Sequence, residues 1–450
     1  MPTQAVILAG GEGKRIHPLG INKPKSMFEI MGRPLIQIVV ENLKAAGVTD
    51  LIIVTGPNQE QIRDHFGDGR QFGVKIQYTF QPEPLGQANA IQTAEPLVNS
   101  RFFALNANDI FDHQLLTAVL EQATATAADL ALVGRTVSEP WRFGVMRFNN
   151  NGQLTGVTEK PPAGQEPSRV AVVGVYYFSP EIFQCIHETP AGDTDDQLER
   201  AYQKLIDRGQ ATHIEYDGLF ESYKYPWNLL TINDLLLRHR VHGPQISATA
   251  RISDRAIIEG GVIIEENVRI LENAVIRGPA YIGAGSVIGN NTLIWGGCSL
   301  GPGCVIGFGS EIKHAVLGRQ VWTHRSYVGD SIISDNCSFG AGTITANFRF
   351  DEQNVFVNVK GKRVSTGSDK FGVIMAEGCR TGSNSVLMPG IKVGPNSVVG
   401  PGVTLLEDLP PDKIALPVRA GYRIRNNHLR LAGKDRNRLM DTLAQNAAAS

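Results

Sequence analysis

Residues 246–312 read ISATARISDRAIIEGGVIIEENVRILENAVIRGPAYIGAGSVIGNNTLIWGGCSLGPGCVIGFGSEI and repeat with a period of six. This period matches neither the 3.6 residues of a helical turn nor the plain alternation of a hairpin. It fits a triangular coil of short strands, with an aliphatic side chain pointing inward and a small residue at each tight corner. We therefore predict a left-handed parallel β-helix built from hexapeptide repeats. The predicted inward positions are Ile246, Ile252, Ile258, Ile264, Ile270, Ile276, Ile282, Ile288, Ile294, Leu300, Ile306 and Ile312.

The pattern is broken between residues 313 and 332 and resumes at Ile333 and Phe339. It returns from Leu387 to Leu405, so the coil is expected to extend to about residue 425. Residues 346–370 lack the repeat and contain charged and β-branched residues, which predicts a loop or hairpin that leaves the coil. Four of the five cysteines occupy the small corner position, which packing explains better than chemistry.

The first 230 residues have a different pattern, in which apolar strands alternate with helix-periodic segments. QAVILAG (4–10), LIIVTG (51–56) and RFFALNAND (101–109) are strand-like, and residues 34–46 have helical periodicity. Such alternation predicts a Rossmann-like α/β domain with a mostly parallel sheet. We therefore divide the chain into an α/β domain over 1–230, a linker helix over 231–245, the β-helix over 246–425 and a C-terminal tail over 426–450.

Composition excludes several classes of function. The formal net charge is −1 over 450 residues, so the chain has no electrostatic signature of nucleic-acid binding. No apolar run approaches the roughly 20 residues of a membrane span, and no basic segment precedes the first strand as in a signal peptide. The five cysteines are an odd number without CxxC spacing, which argues against disulfides or zinc and predicts a cytoplasmic protein.

A glycine-rich loop, LAGGEGKR (8–15), directly follows the first predicted strand. Glycines allow backbone N–H groups to approach phosphate oxygens, and Arg15 and Lys25 offer cations that could neutralise a leaving pyrophosphate. Taken alone, such a loop is equally consistent with a plain tight turn.

The longer stretch LAGGEGKRIHPLGINKPKSM (8–27) resembles the signature of the sugar-1-phosphate nucleotidyltransferases. QPEPLGQA (81–88), Asn108-Asp109, FGV (143–145), EKP (159–161) and PWNLL (226–230) resemble further segments of that family, in the same order. The resemblance implies that 1–230 is a nucleotidyltransferase domain with Arg15 and Lys25 as catalytic cations and Asp109 as a ligand of Mg²⁺. The nucleotide- and sugar-binding residues that it implies are Leu8, Gly10, Gly11, Gly13, Gln81, Gly86, Gln87, Gly144, Glu159 and Lys160.

In the coil, THRSYVGD (323–330) precedes FGAGTITAN (339–347) at the break in the repeat. A lone histidine is usually structural, but this stretch resembles the acetyltransferase half of the bifunctional glucosamine-1-phosphate acetyltransferase/N-acetylglucosamine-1-phosphate uridylyltransferases. Residues 348–364 and MPGIKVGP (388–395) are similar to the archaeal type. The resemblance implies that His324 is the catalytic base and acetyl-CoA the co-substrate. We also expect a homotrimer, because a single β-helix leaves flat faces and a neighbouring coil could complete a pocket at His324. Substrate-binding roles fall on Lys313, Tyr327, Ala341, Asn347 and Ser383.

Several positions depart from the family patterns. Ser222 replaces a metal-binding aspartate, Val172 replaces an asparagine, and Gly301 replaces a phosphate-binding arginine. Ser338, Phe348, Gln353 and Phe356 also differ within the predicted acetyltransferase half. The leading hypothesis is a bifunctional enzyme that makes a UDP-N-acetylamino sugar from UTP and an amino-sugar 1-phosphate. The alternatives are a dTDP- or GDP-sugar pyrophosphorylase whose β-helix serves assembly, and a non-catalytic regulatory homologue.

Overall fold

The predicted α/β domain contains a central sheet of nine strands with helices beside it. The computed structural model describes residues 3–57, 59–192, 196–418 and 421–426, so the predicted tail lies outside them except for Asn426. The strands of the first half are β1 (Thr3–Leu8), β2 (Glu29–Ile30), β3 (Arg33–Pro34), β4 (Asp50–Thr55), β5 (Lys75–Phe80), β6 (Arg101–Asn106), β7 (Asp109–Phe111), β8 (Leu130–Thr136), β9 (Gly144–Phe148), β10 (Leu154–Glu159), β11 (Val170–Phe178), β12 (Ala211–Glu215) and β13 (Phe220–Ser222).

The described residues contain seven α-helices, none of which is long and apolar enough to cross a membrane. The helices are α1 (Leu35–Ala45), α2 (Glu60–Phe66), α3 (Gln87–Ala94), α4 (His113–Thr126), α5 (Glu181–His187), α6 (Gln197–Asp207) and α7 (Asn228–Arg240). Short 3-10 turns lie at Lys14–Ile16, Leu19–Ile21, Lys25–Met27, Arg70–Phe72, Glu95–Leu97 and Pro140–Arg142.

The sheet is mixed, which corrects the prediction of a mostly parallel one. Strands β5, β4, β1 and β6 are parallel neighbours, but β11 is antiparallel to β6, β8 and β9, and β9 and β10 form a hairpin. A hairpin needs only a short turn and is necessarily antiparallel. Leu8 lies opposite Val54 and Asn106, so the ends of three parallel strands meet at one edge of the sheet.

Two compact units divide the chain. One comprises residues up to 14, 22–28 and 33–224, and the other comprises 15–21, 29–32 and the chain from 225 onward. Helix α7 belongs to the second unit, where the buried Asn233 donates from its Nδ2 to the carbonyl of Gly297 over 2.9 Å. The linker helix, predicted over 231–245, therefore begins earlier and ends earlier, because Gln245 and Ile246 already form the first strand of the coil.

The predicted β-helix is confirmed as a coil with three faces. Its strands are β14 (Gln245–Ile246), β15 (Arg251–Ile252), β16 (Ile257–Glu259), β17 (Val262–Ile264), β18 (Arg269–Ile270), β19 (Val275–Arg277), β20 (Ala280–Ile282), β21 (Val287–Ile288), β22 (Leu293–Ile294), β23 (Cys298–Leu300), β24 (Val305–Ile306), β25 (Glu311–Lys313), β26 (Val316–Leu317), β27 (Trp322–Thr323), β28 (Tyr327–Gly329), β29 (Ile332–Ile333), β30 (Ser338–Phe339), β31 (Ile344–Thr345), β32 (Phe356–Val359), β33 (Lys362–Ser365), β34 (Ile374–Met375), β35 (Arg380–Thr381), β36 (Val386–Leu387), β37 (Lys392–Val393), β38 (Val398–Val399), β39 (Thr404–Leu405), β40 (Lys413–Val418) and β41 (Gly421–Asn426).

Every third strand of the coil pairs in parallel with the next, which gives the faces β14-β17-β20-β23-β26-β29-β34-β37, β15-β18-β21-β24-β27-β30-β35-β38 and β16-β19-β22-β25-β28-β31-β36-β39. Strands β32 and β33 form an antiparallel hairpin within residues 346–370, as the loss of the repeat predicted.

The inward aliphatic residues form one continuous buried column from Ile264 onward. Ile246 is an exception, because it lies in the first turn, where no further coil covers it, and it is 45% exposed. All five cysteines are buried free thiols, and burial raises the pKa of Cys298 and Cys304 to about 12. Both observations agree with a packing role for the corner cysteines.

The coil is continuous through residues 313–332, which corrects the predicted interruption. Its column runs through Ile312, Leu317, Thr323, Val328 and Ile333, with three spacings of five instead of six residues. Each shortened corner contains one residue with positive φ, namely His314 at 46°, Arg325 at 41° and Asp330 at 45°. The change of period therefore marks tighter corners.

Gly301 is required by packing, which gives its departure from the family pattern a structural reason. A Cβ added there would lie 2.6 Å from the carbonyl carbon of Gly318 in the next coil, closer than real contacts. We expect Gly301→Ala to lower the free energy of unfolding by roughly 1–3 kcal/mol, as overpacking does. Thermal unfolding checks this, with Gly243→Ala as control, because an added Cβ at Gly243 meets nothing within 4 Å. Equal melting temperatures would contradict the packing argument.

Candidate active sites

The glycine loop after β1 is shaped by close backbone contacts. A Cβ at Gly10 would lie 2.9 Å from Gln81 Oε1, and one at Gly56 would lie 2.6 Å from the Gly10 carbonyl oxygen. Gly13 has a φ of 66°, which favours glycine, whereas an added Cβ at Gly11 meets nothing within 4 Å. The loop therefore needs glycine at Gly10 because of close contacts and at Gly13 because of its backbone conformation. At the exposed Gly11, the absence of a side chain leaves the backbone accessible to a ligand.

Two predicted binding residues have structural contacts instead of exposed side chains. Leu8 packs its side chain into the core of the first unit. Gln81 is buried and donates from its Nε2 to Asn89 Oδ1 over 2.8 Å and to the Gly86 carbonyl over 3.3 Å. Both amide hydrogens of Gln81 are thus used inside the protein, where they support the glycine loop and the start of α3.

Asp109 is the centre of a polar cluster at the ends of the parallel strands. Its Oδ2 accepts from Asn106 Nδ2 over 2.8 Å, and its Oδ1 accepts from Ser222 Oγ over 2.6 Å. Gln87, at the first turn of α3, donates from its Nε2 to Asn106 Oδ1 over 3.1 Å. A Cβ at Gly174 would lie within 2.7 Å of Asn106 Nδ2 and Asp109 Oδ2, so only glycine fits beside the cluster. Sequence reasoning missed Asn106, although its place at a strand end was a signal.

Burial and charge oppose each other at Asp109, whose side chain is 2% exposed. Burial is the largest effect and raises the pKa of the carboxyl group, while hydrogen bonds from Ser222 and Asn106 and the charges of Lys25 and Lys224 lower it. Lys25 was predicted from the sequence, but Lys224 was not. Lys224 also lies over the Phe143 ring, with Nζ 5.5 Å from the centroid. The positive charges of two lysines thus both favour the ionised form of the buried Asp109.

The donors around Asp109 fit a magnesium ion that takes most of its ligands from a substrate. Mg²⁺ prefers oxygen and is commonly held by one or two carboxylates together with substrate phosphates. Asp109 provides one carboxylate, and Ser222 lies directly opposite it in the pairing of β13 with β7. No group of three or more His, Cys, Asp or Glu side chains among the described residues could hold a metal without such help. Val172 is apolar and packs against the core, so it offers no ligand.

Gly144, Glu159 and Lys160, for which the resemblance implies substrate binding, lie together. Gly144 is the register partner of Glu159, and a Cβ at Gly144 would lie 2.8 Å from Glu159 Oε2. Lys160 Nζ is 2.7 Å from Glu159 Oε1. The predicted catalytic Arg15 is exposed and begins the segment 15–21, which belongs to the second unit.

One edge of the coil brings together His324, Ala341 and Ser383 from three successive turns. Thr323 pairs with Phe339, and Phe339 pairs with Thr381, so the corners that follow are stacked. The N–H of Asn384 donates to the Ala341 carbonyl over 2.8 Å, which continues the stack. The His324 side chain is exposed and has no hydrogen-bond partner among the described residues, so it is available to an incoming substrate.

Lys313, Tyr327 and Asn347 lie on the adjacent face of the coil. Asn347 Nδ2 donates to Tyr327 Oη over 3.0 Å. The Tyr327 hydroxyl lies over Gly329, where an added Cβ would be 2.5 Å from Oη, and Gly329 is the register partner of Lys313. Burial, with a smaller effect of Asp330, raises the pKa of Tyr327, so its hydroxyl stays protonated.

Three charged residues that sequence reasoning missed adjoin this face. His314 Nδ1 is 2.8 Å from Asp330 Oδ1, and His314 Nε2 is 3.0 Å from Asp234 Oδ2 of α7. Asp330 Oδ2 in turn accepts a hydrogen bond from Asn347 Nδ2. The shortened corners of the repeat were a signal for His314 and Asp330, but Asp234 lies 80 residues before His314 and had none.

Three of the four remaining departures from the family pattern, Phe348, Gln353 and Phe356, lie within residues 346–370, the segment that contains the hairpin. Lys370 Nζ lies 3.6 Å from the centroid of the Phe348 ring, and the Arg363 guanidinium carbon lies 5.1 Å from that of Phe356. Gln353 is exposed, and Ser338 is half-buried in β30. Cations are therefore present beside Phe348 and Phe356, and Lys370 and Arg363 supply them.

We expect His314 to make the stability of the coil dependent on pH. Hydrogen bonds to Asp234 and Asp330 raise its pKa from 6.5 to about 9, against the opposing effect of burial. Within the described residues, Arg238 adds a further charge, with its Nη2 3.9 Å from Asp234 Oδ2. A raised folded pKa contributes stability that is complete below the unfolded value and is lost as pH rises through the folded value.

We therefore expect the melting temperature to fall between about pH 6.5 and about pH 9. His314→Gln should flatten this part of the profile, whereas His242→Gln, at an exposed position, should leave it unchanged. Differential scanning fluorimetry across this range measures both. A profile of unchanged slope in His314→Gln would show that the charged histidine does not stabilise the fold.

The fold and the two sites define a two-domain transferase. Its α/β domain has a glycine-rich loop of the kind that binds phosphate, and its β-helix has an exposed histidine at one edge. Residues 4–220 match the nucleotidyl transferase family model, and 279–314 and 372–407 match the bacterial transferase hexapeptide model. The bifunctional GlmU proteins of Methanococcus maripaludis (strain C7) and Methanocaldococcus jannaschii are 38% and 34% identical, over 86% of this chain and 90% of theirs.

A bifunctional sugar-1-phosphate nucleotidylyltransferase/acetyltransferase of Sulfurisphaera tokodaii is 32% identical over 86% of this chain and 93% of its own. The chain therefore belongs to the GlmU family of bifunctional sugar-1-phosphate nucleotidylyltransferase/acetyltransferases. The resemblance inferred from the sequence is confirmed, and the protein is an enzyme with both transferase activities.

Proposed function

We propose that the protein acetylates glucosamine 1-phosphate with acetyl-CoA and transfers a uridylyl group from UTP to the N-acetylated sugar phosphate, giving UDP-N-acetylglucosamine and pyrophosphate. The observation that carries the proposal is the stacked edge of His324, Ala341 and Ser383, next to the face that holds Lys313, Tyr327 and Asn347. A β-helix that served only assembly would not need this set of polar groups beside an exposed, unpartnered histidine.

At the coil, His324 accepts a proton from the sugar amine as its nitrogen attacks the thioester carbonyl carbon. The C–N bond forms, the C–S bond breaks, and coenzyme A leaves as a thiol after it takes up a proton. The backbone N–H of Ala341 stabilises the negative charge that develops on the carbonyl oxygen. Lys313 binds the sugar phosphate, Tyr327 and Asn347 orient the sugar, and Ser383 contacts coenzyme A.

In the α/β domain, a phosphate oxygen of the sugar phosphate attacks the α-phosphorus of UTP and pyrophosphate leaves. The loop with Gly10, Gly11 and Gly13 binds phosphate oxygens through its N–H groups, and Arg15 and Lys25 balance the charge of the leaving pyrophosphate. Asp109 would hold Mg²⁺, which would neutralise negative charge on the phosphates. The sugar is bound beside Gly144, Glu159 and Lys160, and the nucleotide between the glycine loop and the segment with Gly86 and Gln87.

The proposal is tested by incubating the protein with acetyl-CoA, Mg²⁺, one of UTP, dTTP or GTP, and a panel of sugar 1-phosphates, followed by mass spectrometry. We expect UDP-N-acetylglucosamine from glucosamine 1-phosphate and UTP. A dTDP- or GDP-sugar without acetylation would instead identify a pyrophosphorylase whose β-helix serves only assembly. Absence of any product would indicate a regulatory homologue.

The exposed His324 also supports a homotrimer, because a neighbouring coil could complete the pocket around a side chain that has no hydrogen-bond partner among the described residues. Multi-angle light scattering at micromolar concentration is expected to give three times the chain mass of 48.9 kDa. A stable monomer would contradict the trimer.

A further inference from the structure

The acceptor face of the coil contains a chain of hydrogen bonds that ends on a helix outside the coil. It runs from Tyr327 through Asn347, Asp330 and His314 to Asp234 in α7. Asp330 is 5% exposed, and each of its carboxylate oxygens accepts one hydrogen bond, Oδ1 from His314 and Oδ2 from Asn347. The residues Asp234, His314 and Asp330 take no direct part in the proposed reaction.

The carboxylate determines which way the Asn347 amide points. A carboxylate only accepts hydrogen bonds, so the Asn347 group that faces Asp330 must be the NH₂. The same Nδ2 donates its second hydrogen to Tyr327 Oη. Asn347 Oδ1 is then directed away from both partners, and within the described residues no group donates to it. The assignment follows from the chemistry of the partners and does not depend on telling nitrogen from oxygen by position.

The orientation of Asn347 also fixes the role of the Tyr327 hydroxyl. Because Oη accepts from Asn347, its own hydrogen remains for another acceptor. The face therefore presents one oxygen acceptor, Asn347 Oδ1, and one hydroxyl donor, Tyr327. Such a pair matches the mixed donors and acceptors of a phosphorylated amino sugar.

His314 and the backbone hold Asp330 in place. His314 bridges Asp330 to Asp234, and Gly297 lets it approach, because a Cβ there would be 2.8 Å from His314 Cδ2. The Asp330 N–H donates to the Lys313 carbonyl over 2.9 Å, and the Gly372 N–H donates to the Asp330 carbonyl over 2.8 Å. The φ of 45° at Asp330 is one that Asp and Asn tolerate better than most residues.

We propose that Asp330, held by His314, is a positioning residue of the acetyl-acceptor site, which orients Asn347 and Tyr327 so that they offer one acceptor and one donor to the amino-sugar phosphate. This inference rests on the proposed acetyl-transfer function. Asp330 acts through Asn347 and does not touch the substrate.

The test is an exchange of the two side chains. In Asp330→Asn, the new amide oxygen accepts from His314 and its NH₂ faces Asn347, which must turn its own oxygen inward and its NH₂ toward the substrate. In Asn347→Asp, two carboxylates face each other. In the double variant Asp330→Asn/Asn347→Asp, the amide at 330 donates to the carboxylate at 347, and an oxygen again faces the substrate.

We expect each single variant to lower kcat/KM for glucosamine 1-phosphate by roughly 10-fold or more, as loss of a hydrogen bond to a charged group does. The KM for acetyl-CoA and the rate of nucleotidyl transfer should stay near those of the wild type. The double variant should recover at least about fivefold over the poorer single variant. Asp412→Asn is the matched control, since Asp412 is an exposed aspartate with a φ of 55°.

Each outcome decides the inference. Independent losses that multiply in the double variant, or wild-type kinetics of Asp330→Asn, overturn it. Recovery of the melting temperature without recovery of acetyl transfer also overturns it, because the pair then only stabilises the corner. Binding of glucosamine 1-phosphate, measured by isothermal titration calorimetry, gives the same comparison without turnover. If the wild type binds glucosamine 1-phosphate but does not acetylate it, the proposed reaction alone is overturned. If the wild type neither binds nor acetylates it, the proposed reaction and the role of Asp330 are both overturned.

Discussion

Replacement of His324 by alanine is expected to lower acetyl transfer about 10²–10⁴-fold, which is the usual contribution of general acid–base catalysis. An amine attacks a thioester only when it is unprotonated, and an amino sugar at neutral pH is largely the ammonium form. A base must therefore remove a proton before or during attack, and imidazole is suited to this near neutral pH.

The structure predicts that this loss leaves the fold intact. The His324 side chain is exposed and lacks a hydrogen-bond partner within the described residues, so its removal breaks no internal contact of that kind. The melting temperature and the rate of nucleotidyl transfer in His324→Ala should therefore equal those of the wild type. Acetyl transfer is followed by the release of free coenzyme A thiol, with His242→Ala, at another exposed histidine, as the matched control.

The alternative is a purely structural role, in which His324 only packs at a corner of the coil. It predicts lost stability with little change in rate per folded molecule, which is the opposite pattern. Full thioester turnover by a well-folded His324→Ala protein would refute the assignment of the base and leave the β-helix as a scaffold.

Asp109→Asn is expected to lower nucleotidyl transfer roughly 10²-fold or more, as removal of a group that stabilises transition-state charge does. Asp109 is the carboxylate at the strand ends, and Ser222, the residue opposite it, contributes only a hydroxyl. Because Ser222 is not a carboxylate, the metal assignment depends on Asp109. Arg15→Ala is expected to show a loss of similar size, because its guanidinium would balance the charge of pyrophosphate.

Release of pyrophosphate measures this prediction, and acetyl transfer by the same preparation reports on folding of the other site. Asp68→Asn, at an exposed aspartate, is the matched control. Normal pyrophosphate release by Asp109→Asn would show that the metal is held elsewhere. Absence of turnover in the wild type with every pair of nucleotide and sugar would indicate that Ser222 cannot replace the aspartate of the family.

Asp109, His324 and Asn347 could be singled out from the sequence because each lies in a short contiguous motif. Asn106 lies only three residues before Asp109 and could have been found in the same way, whereas Lys224 and Asp330 could not, since their partners lie elsewhere in the chain. Lys224 acts on Asp109 only because β13 pairs with β7, and Asp330 meets His314 and Asn347 only because successive turns of the coil stack. Pairing between distant strands is not encoded by local periodicity.

The sequence alone determined the β-helix, because stacking identical turns requires an aliphatic residue at a fixed interval. It also determined the α/β class of the first half and the motifs of both sites. Only the tertiary structure decided that the coil continues through 313–332, that Gly301 is held by the backbone of the next turn, and that Asp234, His314 and Asp330 meet. These depend on distances between residues far apart in sequence, which are fixed when the coil stacks and α7 packs against it.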